Sequence, residues 1–436
     1  MIRFISMVLC ILCIWMILGT LFIFADEYDV PEINKALYYY LYNINNDRVM
    51  EQRGETHRIY PASMVKIMTA IIALEYYGTN ITKEITVTSD AIRRITGNHI
   101  KLRAGEIVTA EQLINAVIVG NSNDATNVLA IDIAGSIPAF VDMMNEKAKA
   151  IGCTNTVYTN PTGLHDNKMY TTLADLALIS LYAYKLSRFT EMATQRIYYF
   201  PPTNLSSKSR AITNRNVFVS NHIDARYYNP EALGLNAGFT VEAGYCLSTV
   251  VNHGGLIFLC IISGASYDEE NIYSYVAAQQ LLEWAYNTWD YITVLEDTSV
   301  VCEVPVKLSS YADTIAFYPE RKIELFLPKN TDVAKDIEKV FTMYKDVYSA
   351  PIESGMEGGI LSLYHKGELV ARVPLITKNY IDQSNIMYVS DFVQTVLRAD
   401  WFRITVAVVL IVVTSYIFIN AAVRYNRKKY KKIKKK

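Results

Sequence analysis

The sequence predicts two domains, the first of mixed α/β type and the second smaller and rich in β-strands, with an apolar segment at each end of the chain. Three observations lead to this architecture. The 436 residues exceed one typical domain. Helical and strand patterns alternate as far as Trp289, whereas only short β-rich runs follow from Tyr291. Two uncharged apolar stretches, near residues 4–24 and 404–423, flank the domains.

Residues 1–25 have the pattern of an export signal. One early base, Arg3, precedes an uncharged and mostly apolar run, and Asp26 follows. Phe24 and Ala25 offer a cleavage site, but the run is longer than the usual signal core of ~7–15 residues. A cleaved signal peptide and an uncleaved signal anchor both stay open.

Residues 28–290 carry the patterns of the α/β domain. A hairpin is predicted from runs at 36–42 and 48–52, which a turn-forming cluster joins. A helix from Pro61 to Gly78 is apolar on almost every face and should lie at the centre of the domain. Thr109 and Gln112 have the spacing of a capping box before a helix at 113–119. Further helices are predicted at 124–134, 137–150, 172–186 and 268–289, and strands at 235–250 and 256–263.

Residues 291–395 predict a small all-β domain, most simply a sandwich. The strand-like runs lie at 299–306, 314–318, 322–327, 359–364 and 369–376.

A second membrane segment is predicted at 404–423. These twenty residues hold no charge, lie between Trp401 and Tyr425, and are long enough to span a bilayer. The tail 424–436 contains nine basic residues and no acid. By the positive-inside rule the tail is expected in the cytoplasm, and the two domains are expected outside the plasma membrane.

Charge and cysteine content exclude several function classes. Without the nine basic residues of the tail, 33 basic residues face 43 acidic ones, which argues against nucleic acid as a partner. The histidines are dispersed and the cysteines widely spaced, so neither a metal site nor a dense disulfide framework is predicted. Four cysteines are expected to be buried free thiols, namely Cys153, Cys246, Cys260 and Cys302.

The reactive candidates are Ser63 and Lys66, at the start of the predicted central helix. Positions three residues apart share one face of a helix. A serine hydroxyl becomes a nucleophile when a base takes its proton, and burial can lower the pKa of a lysine enough for that role. The N-terminal end of the helix adds positive potential for a developing alkoxide. By itself a Ser-x-x-Lys spacing is a weak signal.

The surrounding sequence resembles the low-molecular-mass penicillin-binding proteins, the serine-type D-alanyl-D-alanine carboxypeptidases. The likeness extends roughly over residues 37–376. The motifs that carry it are 61–70 (PASMVKIMTA), 102–106 (LRAGE), 123–125 (NDA), 160–166 (NPTGLHD), 238–246 (GFTVEAGYC), 350–355 (APIESG) and 373–376 (VPLI).

This resemblance implies a β-lactamase/transpeptidase-like first domain with a Ser-x-x-Lys, Ser-x-Asn and Lys-Thr-Gly site. Ser63 would attack the carbonyl between two D-alanines of a peptidoglycan stem peptide, and Lys66 would act as the base. The backbone N–H groups of Ser63 and Phe239 would form the oxyanion hole. β-Lactams are implied as covalent ligands, and no cofactor is implied.

Two of the three motifs depart from the family pattern. The Ser-x-Asn motif is Asn121-Ser122-Asn123. Ser122 could reach Lys66 if the loop were shifted by one residue, or Asn121 could supply a hydrogen bond without a hydroxyl. Ser122 could equally be an ordinary loop residue.

The third motif is Asn236-Ala237-Gly238, which lacks the lysine and the hydroxyl that hold the carboxylate of the substrate in the family. Loss of one charge-assisted contact of ~1.5–3 kcal/mol corresponds to a factor of roughly 10–150 in affinity. Nearby basic residues could replace the missing cation, and His165 is a weak candidate for a catalytic base. The basic candidates are Arg210, Arg215 and Arg226.

The sequence therefore predicts a serine-type D-Ala-D-Ala carboxypeptidase with impaired activity at the outer face of the plasma membrane. A second hypothesis is a catalytically degenerate module that binds peptidoglycan or a partner, which Asn236 and Ala237 favour. A third is an esterase or β-lactamase-like hydrolase that does not need to bind a carboxylate.

Overall fold

The computed structural model describes residues 30–433, with side chains as far as residue 427. The predicted export signal at 1–25 lies outside the described residues, as does the last part of the basic tail. The chain divides into two compact units, Met1–Asp290 and Tyr291–Lys436.

The first unit contains nine described strands and eight described α-helices. The strands are β1 (Tyr38–Asn43), β2 (Arg48–Arg53), β3 (Glu84–Thr86), β4 (Ile107–Thr109), β5 (Ile197–Phe200), β6 (Arg210–Thr213), β7 (Ala232–Thr240), β8 (Gly244–His253) and β9 (Leu256–Ala265). The helices are α1 (Val65–Tyr77), α2 (Ser89–Ile92), α3 (Ala110–Ile118), α4 (Asn123–Ala134), α5 (Ile137–Ile151), α6 (Leu173–Lys185), α7 (Ser187–Ala193) and α8 (Tyr273–Thr288).

Five antiparallel strands form the main sheet, in the order β2-β1-β9-β8-β7. Six consecutive residues of β8 and six of β9 are buried, so both strands run through the interior of the unit. A tight turn at Gly254 and Gly255 joins them, and both glycines have positive φ, which suits a two-residue hairpin. β7 forms one edge of the sheet.

Helix α1 is the central helix, as the sequence predicts. Eleven of its thirteen residues are buried on all sides, among them Ile67, Met68 and Ile71. A 3-10 turn at Ala62–Met64 leads directly into it. The capping box is also confirmed, because the Thr109 hydroxyl accepts a bond from the Gln112 backbone N–H, and the Gln112 side-chain oxygen accepts one from the Thr109 backbone N–H.

Two predictions in this unit need correction. The last helix was predicted from residue 268 but begins at Tyr273. Asp268 instead closes a turn, in which it accepts bonds from the backbone N–H groups of Glu270 and Asn271 and from the Tyr273 hydroxyl. The predicted strand at 235–250 is two strands, β7 and β8, which residues 241–243 connect.

The second unit is built on a six-stranded sheet and a two-stranded sheet, β10 with β13. The six-stranded order is β14-β16-β17-β12-β11-β15. Buried side chains from both sheets, such as Val294 and Phe317, share one core. The elements are β10 (Trp289–Leu295), β11 (Cys302–Lys307), β12 (Thr314–Pro319), β13 (Ile323–Pro328), α9 (Val333–Asp336), β14 (Ile337–Met343), β15 (Tyr348–Ser349), β16 (Glu357–His365) and β17 (Glu368–Thr377).

Two helices follow, α10 (Asn385–Arg398) and α11 (Asp400–Ile433). Helix α10 corrects the prediction of an all-β domain as far as residue 395, since its apolar side chains recur at helical spacing. Within α11, Asp400–Arg427 is long and apolar enough to cross a membrane. The described cysteines are free, and three are buried as expected; Cys302 is only half-buried.

Candidate active site

Ser63 lies in the 3-10 turn before α1, where three backbones approach closely. Ala62 adopts a positive φ of 47°. A Cβ at Gly163 would lie 2.0 Å from the Ala62 carbonyl oxygen, and a Cβ at Gly238 would lie 2.7 Å from the Ser63 backbone nitrogen. Only glycine fits at either position. Two segments therefore pack closely against the serine turn, namely the loop around Gly163 on one side and strand β7 on the other.

The Lys66 side chain lies one turn further along and is 1% exposed. Its Nζ is 3.2 Å from the Ser63 Oγ and donates a hydrogen bond of 2.6 Å to the Thr162 carbonyl. Burial lowers the pKa of Lys66 to about 7, because an ammonium ion loses its hydration there. A neutral amine can keep the bond to Thr162 and still offer its lone pair to the Ser63 hydroxyl.

The loop 160–164 supplies the carbonyl that positions Lys66. Asn160 Oδ1 accepts bonds from the backbone N–H groups of Thr162 and Gly163 and from the Thr162 hydroxyl. The Thr69 hydroxyl on α1 donates to the Pro161 carbonyl at 2.9 Å. The conformation of the loop is thus fixed by side chains, and the group that contacts Lys66 is backbone.

Asn121 and Asn236 connect the loop before α4 to strand β7. The Asn121 amide donates to the Ala237 carbonyl at 2.6 Å, and the Asn236 amide donates to Asn121 Oδ1 at 3.3 Å. Both asparagines are at least 96% buried. Asn121 has a φ of 56°, a conformation that asparagine tolerates better than most residues. A neutral amide pair therefore stands at the two positions where the family resemblance leads us to expect a serine and a lysine.

Ser122 does not reach this pair. Its side chain is fully buried, and its Oγ has no hydrogen-bond partner within the described part of the chain. A Cβ at Gly120 would lie 3.2 Å from that oxygen, so the hydroxyl lies on the Gly120 side of the loop. Asn123 donates to the Thr96 carbonyl at 2.7 Å, while its Oδ1 is buried without a partner among the described residues.

A cavity of about 450 Å³ opens at Ser63. Backbone and small side chains form its reactive side, including Thr162, Ala237 and Gly238, while Phe239 and Tyr245 contribute aromatic surface. Asn121 and Asn123 line it as well, but Ser122 and Asn236 do not. The cavity is therefore lined by both polar and apolar groups.

Arg215 is the basic side chain that lines this cavity, among the residues described. It is exposed and has no carboxylate partner in the described chain. Arg210 pairs with the buried Glu106, and Arg226 pairs with Asp224. Of the three candidate cations, only Arg215 is available to a ligand at Ser63.

His165 is placed differently. Its Nε2 lies 2.9 Å from Asn167 Oδ1, its Nδ1 lies 3.8 Å from Glu242, and its ring contacts Tyr60 edge-on. It does not line the Ser63 cavity. These contacts hold the imidazole outside the Ser63 cavity.

A serine in the turn before the central helix, a buried lysine of low pKa three residues later and an antiparallel strand against the serine form a candidate serine acyl-transfer site. The family profile for D-alanyl-D-alanine carboxypeptidase matches residues 27–266, which is more than half of the chain. The chain belongs to this family of peptidases.

Curated relatives agree over most of the length. D-alanyl-D-alanine carboxypeptidase DacF from Bacillus subtilis (strain 168) is 27% identical over 358 residues, which is 82% of this chain and 87% of the relative. DacC from Escherichia coli (strain K12) is 23% identical over 395 residues, which is 88% of this chain and 93% of the relative.

Solved structures of penicillin-binding proteins share the fold. Penicillin-binding protein 5 from Haemophilus influenzae is 23% identical with a TM-score of 0.58, over 81% of this chain and 99% of that chain. Penicillin-binding protein 6B from Escherichia coli is 21% identical with a TM-score of 0.61, and the match covers 81% of this chain and 98% of that chain. The predicted penicillin-binding fold is thus confirmed.

Sequence reasoning missed the Thr162 carbonyl as a partner of Lys66. The motif at 160–166 pointed to the loop, but a backbone acceptor has no sequence signature of its own. It also missed Val217 and Tyr275 as lining residues of the cavity, which lie far from the motifs in sequence.

Proposed function

We propose that the chain is a serine-type D-Ala-D-Ala carboxypeptidase that removes the terminal D-alanine from peptidoglycan stem peptides, with reduced activity. The observation that carries the proposal is the 3.2 Å contact between Ser63 Oγ and the Lys66 Nζ, whose pKa is lowered to about 7. A base with a pKa near the working pH is well matched to proton transfer. The similarity to DacF and DacC supports the substrate class.

In the proposed reaction the Ser63 hydroxyl gives its proton to the neutral Lys66 as its oxygen attacks the carbonyl carbon. The C–N bond to the terminal D-alanine breaks, and the protonated Lys66 returns the proton to the leaving amine. Water then attacks the ester on Ser63, which restores the serine and releases the shortened peptide. The N–H groups of Ser63 and Phe239 stabilise the oxyanion in both steps.

Recognition of the terminal carboxylate is the weak part of the site. Asn236 and Ala237 carry no charge and no hydroxyl, and Asn236 does not line the cavity. Arg215 is the cation that lines it, and we assign the carboxylate contact to this guanidinium. A single exposed cation binds less strongly than a buried charge and hydroxyl together, so activity is reduced.

The proposed location is the outer face of the plasma membrane. Asp400–Arg427 would cross the bilayer, and the basic tail would lie in the cytoplasm. The peptide substrate and β-lactams would then reach Ser63 from outside the cell.

A degenerate module that binds peptidoglycan without turnover is the second candidate function. One observation favours it: Asn121 and Asn236 form a neutral, buried contact where the family has a serine and a lysine. This candidate predicts peptide binding without acyl transfer.

Release of D-alanine from diacetyl-Lys-D-Ala-D-Ala by the full-length chain in detergent separates the two. The carboxypeptidase proposal predicts measurable release that Ser63→Ala abolishes. Binding of the peptide without release, at high protein concentration and over hours, would establish the module instead. Equal release by Ser63→Ala would mean that a contaminating enzyme is the source.

A further inference from the structure

A second cavity of about 370 Å³ lies next to the catalytic one. Arg215 and Ile223 line both cavities. No acidic side chain of the described chain lines the second cavity. Four lining residues are basic or titratable, namely His99, Lys101, Arg210 and Arg215. Its other lining residues are apolar, small or hydroxyl-bearing.

Lys101 and Arg215 contribute uncompensated charge to this basic cavity. Both side chains are exposed, and neither has a carboxylate partner in the described part of the chain. Arg210 differs because Glu106 neutralises it, yet its Nε is buried without a hydrogen-bond partner among the described residues. The cavity therefore offers two cations without a carboxylate partner, whereas the Arg210 Nε is too buried to contact a ligand there.

The loop that carries Lys101 is held in a fixed shape. A single buried carboxylate, Asp124, accepts the backbone N–H groups of Ile100 at 3.2 Å and Leu102 at 2.9 Å, on either side of the lysine. Arg210 donates to the Ile100 carbonyl at 3.1 Å. Lys101 between them has a φ of 61°, a strained conformation for lysine. Strain that the surrounding bonds impose keeps this lysine at the apex of the loop.

The backbone around Arg215 is also fixed by hydrogen bonds. Its backbone N–H donates to the Val119 carbonyl at 3.0 Å. On one side Asn214 donates to the Ala193 and Gln195 carbonyls, and on the other Asn216 accepts from the Phe218 backbone. The backbone segments that carry the two cations are thus fixed around one cavity.

We propose that this basic cavity is a binding site for an oxyanion, which a ligand carries as a carboxylate or a phosphate group. Guanidinium and ammonium groups both form charge-assisted hydrogen bonds to such oxygens. The site shares Arg215 with the carboxylate contact proposed above, but neither Ser63 nor Lys66 lines it, so anion binding here is measured separately from D-alanine release.

Calorimetric titration of the full-length chain in non-ionic detergent at low ionic strength tests the site. Inorganic phosphate and glutarate are the two probes, with chloride at matched ionic strength as the reference. We expect saturable binding of at least one probe to one site per chain. Tighter binding of phosphate would identify phosphate as the group that the site prefers, and tighter binding of glutarate would identify carboxylate.

Lys101→Gln and Arg215→Gln should each weaken binding by at least about 10-fold, the value of one charge-assisted contact. Lys149→Gln is the matched control, because Lys149 is an exposed lysine near the end of α5. It removes the same charge and should leave binding unchanged. Absence of saturable binding to both probes, or an equal loss in the control, would overturn the proposal. Thermal unfolding of each variant would identify any variant that fails to fold.

Discussion

The two sides of the Ser63 cavity differ in how much of an acyl-transfer site they retain. On the helix side, the Lys66 Nζ lies 3.2 Å from the Ser63 Oγ, and burial lowers the pKa of Lys66 to about 7. On the strand side, Gly238 keeps the close approach to Ser63, but Asn236 and Ala237 offer neither a cation nor a hydroxyl.

The difference separates the groups that would activate Ser63 from the groups that would bind the carboxylate of the substrate. In the proposed reaction the groups that would activate Ser63 are the lysine, the helix end and backbone atoms, and backbone is insensitive to side-chain substitution. The groups that would bind the carboxylate are side chains, and two of them, Asn236 and Ala237, differ from the Lys-Thr pattern that the resemblance implies. Asn121 and Asn236 still connect loop and strand, because the Asn121 amide donates to the Ala237 carbonyl and the Asn236 amide donates to Asn121 Oδ1.

The largest effect should come from the helix side. Lys66→Met removes the base and should lower the rate of acylation by fluorescent penicillin about 10⁴-fold, comparable to loss of one member of a catalytic triad. Gel fluorescence after timed labelling measures this rate. Retention of more than a tenth of the rate would show that another group takes the proton.

The next largest effect tests the backbone contribution of the strand. A Cβ at Gly238 would lie 2.7 Å from both the Ser63 Cβ and backbone nitrogen. Gly238→Ala should push β7 away, spoil the oxyanion donors and slow penicillin labelling roughly 10²- to 10³-fold. An unchanged melting temperature would assign the loss to the site itself. Normal labelling would mean that β7 does not approach Ser63 as described.

A lysine and a threonine introduced on strand β7 should increase the carboxypeptidase activity. Asn236→Lys with Ala237→Thr replaces the missing cation and hydroxyl and should raise D-alanine release roughly 10- to 150-fold, the value of one charge-assisted contact. The single variant Ala237→Thr serves as a control for the hydroxyl alone. No gain would show that this strand is wrongly aligned with the family motif.

The pH dependence of labelling tests the state of Lys66. Its lowered pKa of about 7 means that the neutral, basic amine becomes populated as the pH rises through that value. The labelling rate should therefore increase about 10-fold between pH 6 and pH 8. A flat profile, or a rate that falls with pH, would exclude the neutral amine as the base.

The smallest effect is expected at Ser122. Its hydroxyl is buried on the Gly120 side of the loop and does not line the cavity. Ser122→Ala should change the labelling rate by less than about 2-fold, because no hydrogen bond is lost. A drop of 10-fold or more would show that the loop shifts in solution and brings this serine to Lys66.

Much of the fold could be predicted because local signals agree with the tertiary structure. The capping box at Thr109 and the uniformly apolar helix α1 are two such signals, and the second also predicts the burial of Lys66. The start of α8 was missed because the acidic residues after Ser266 form a turn around Asp268 rather than a first helical turn. Acidic residues suit both positions, so their presence does not distinguish them.

The site was harder to predict wherever it depends on contacts between distant residues. Asn121 and Asn236 are 115 positions apart, and neither residue type indicates the other. Arg215 could be named as a candidate cation, but only the ion pairs of Arg210 and Arg226 distinguish it from its neighbours. Sequence patterns point to candidate reactive residues, whereas the contacts of those residues depend on the folded chain.

Covalent labelling at Ser63 tests the central claim most directly. Full-length chain in membranes is treated with fluorescent penicillin, and the labelled peptide is mapped by mass spectrometry. The account predicts one adduct, on the peptide that contains Ser63, and its complete loss in Ser63→Ala. An adduct that persists in Ser63→Ala, or no adduct on the unaltered chain at high penicillin concentration, would contradict it.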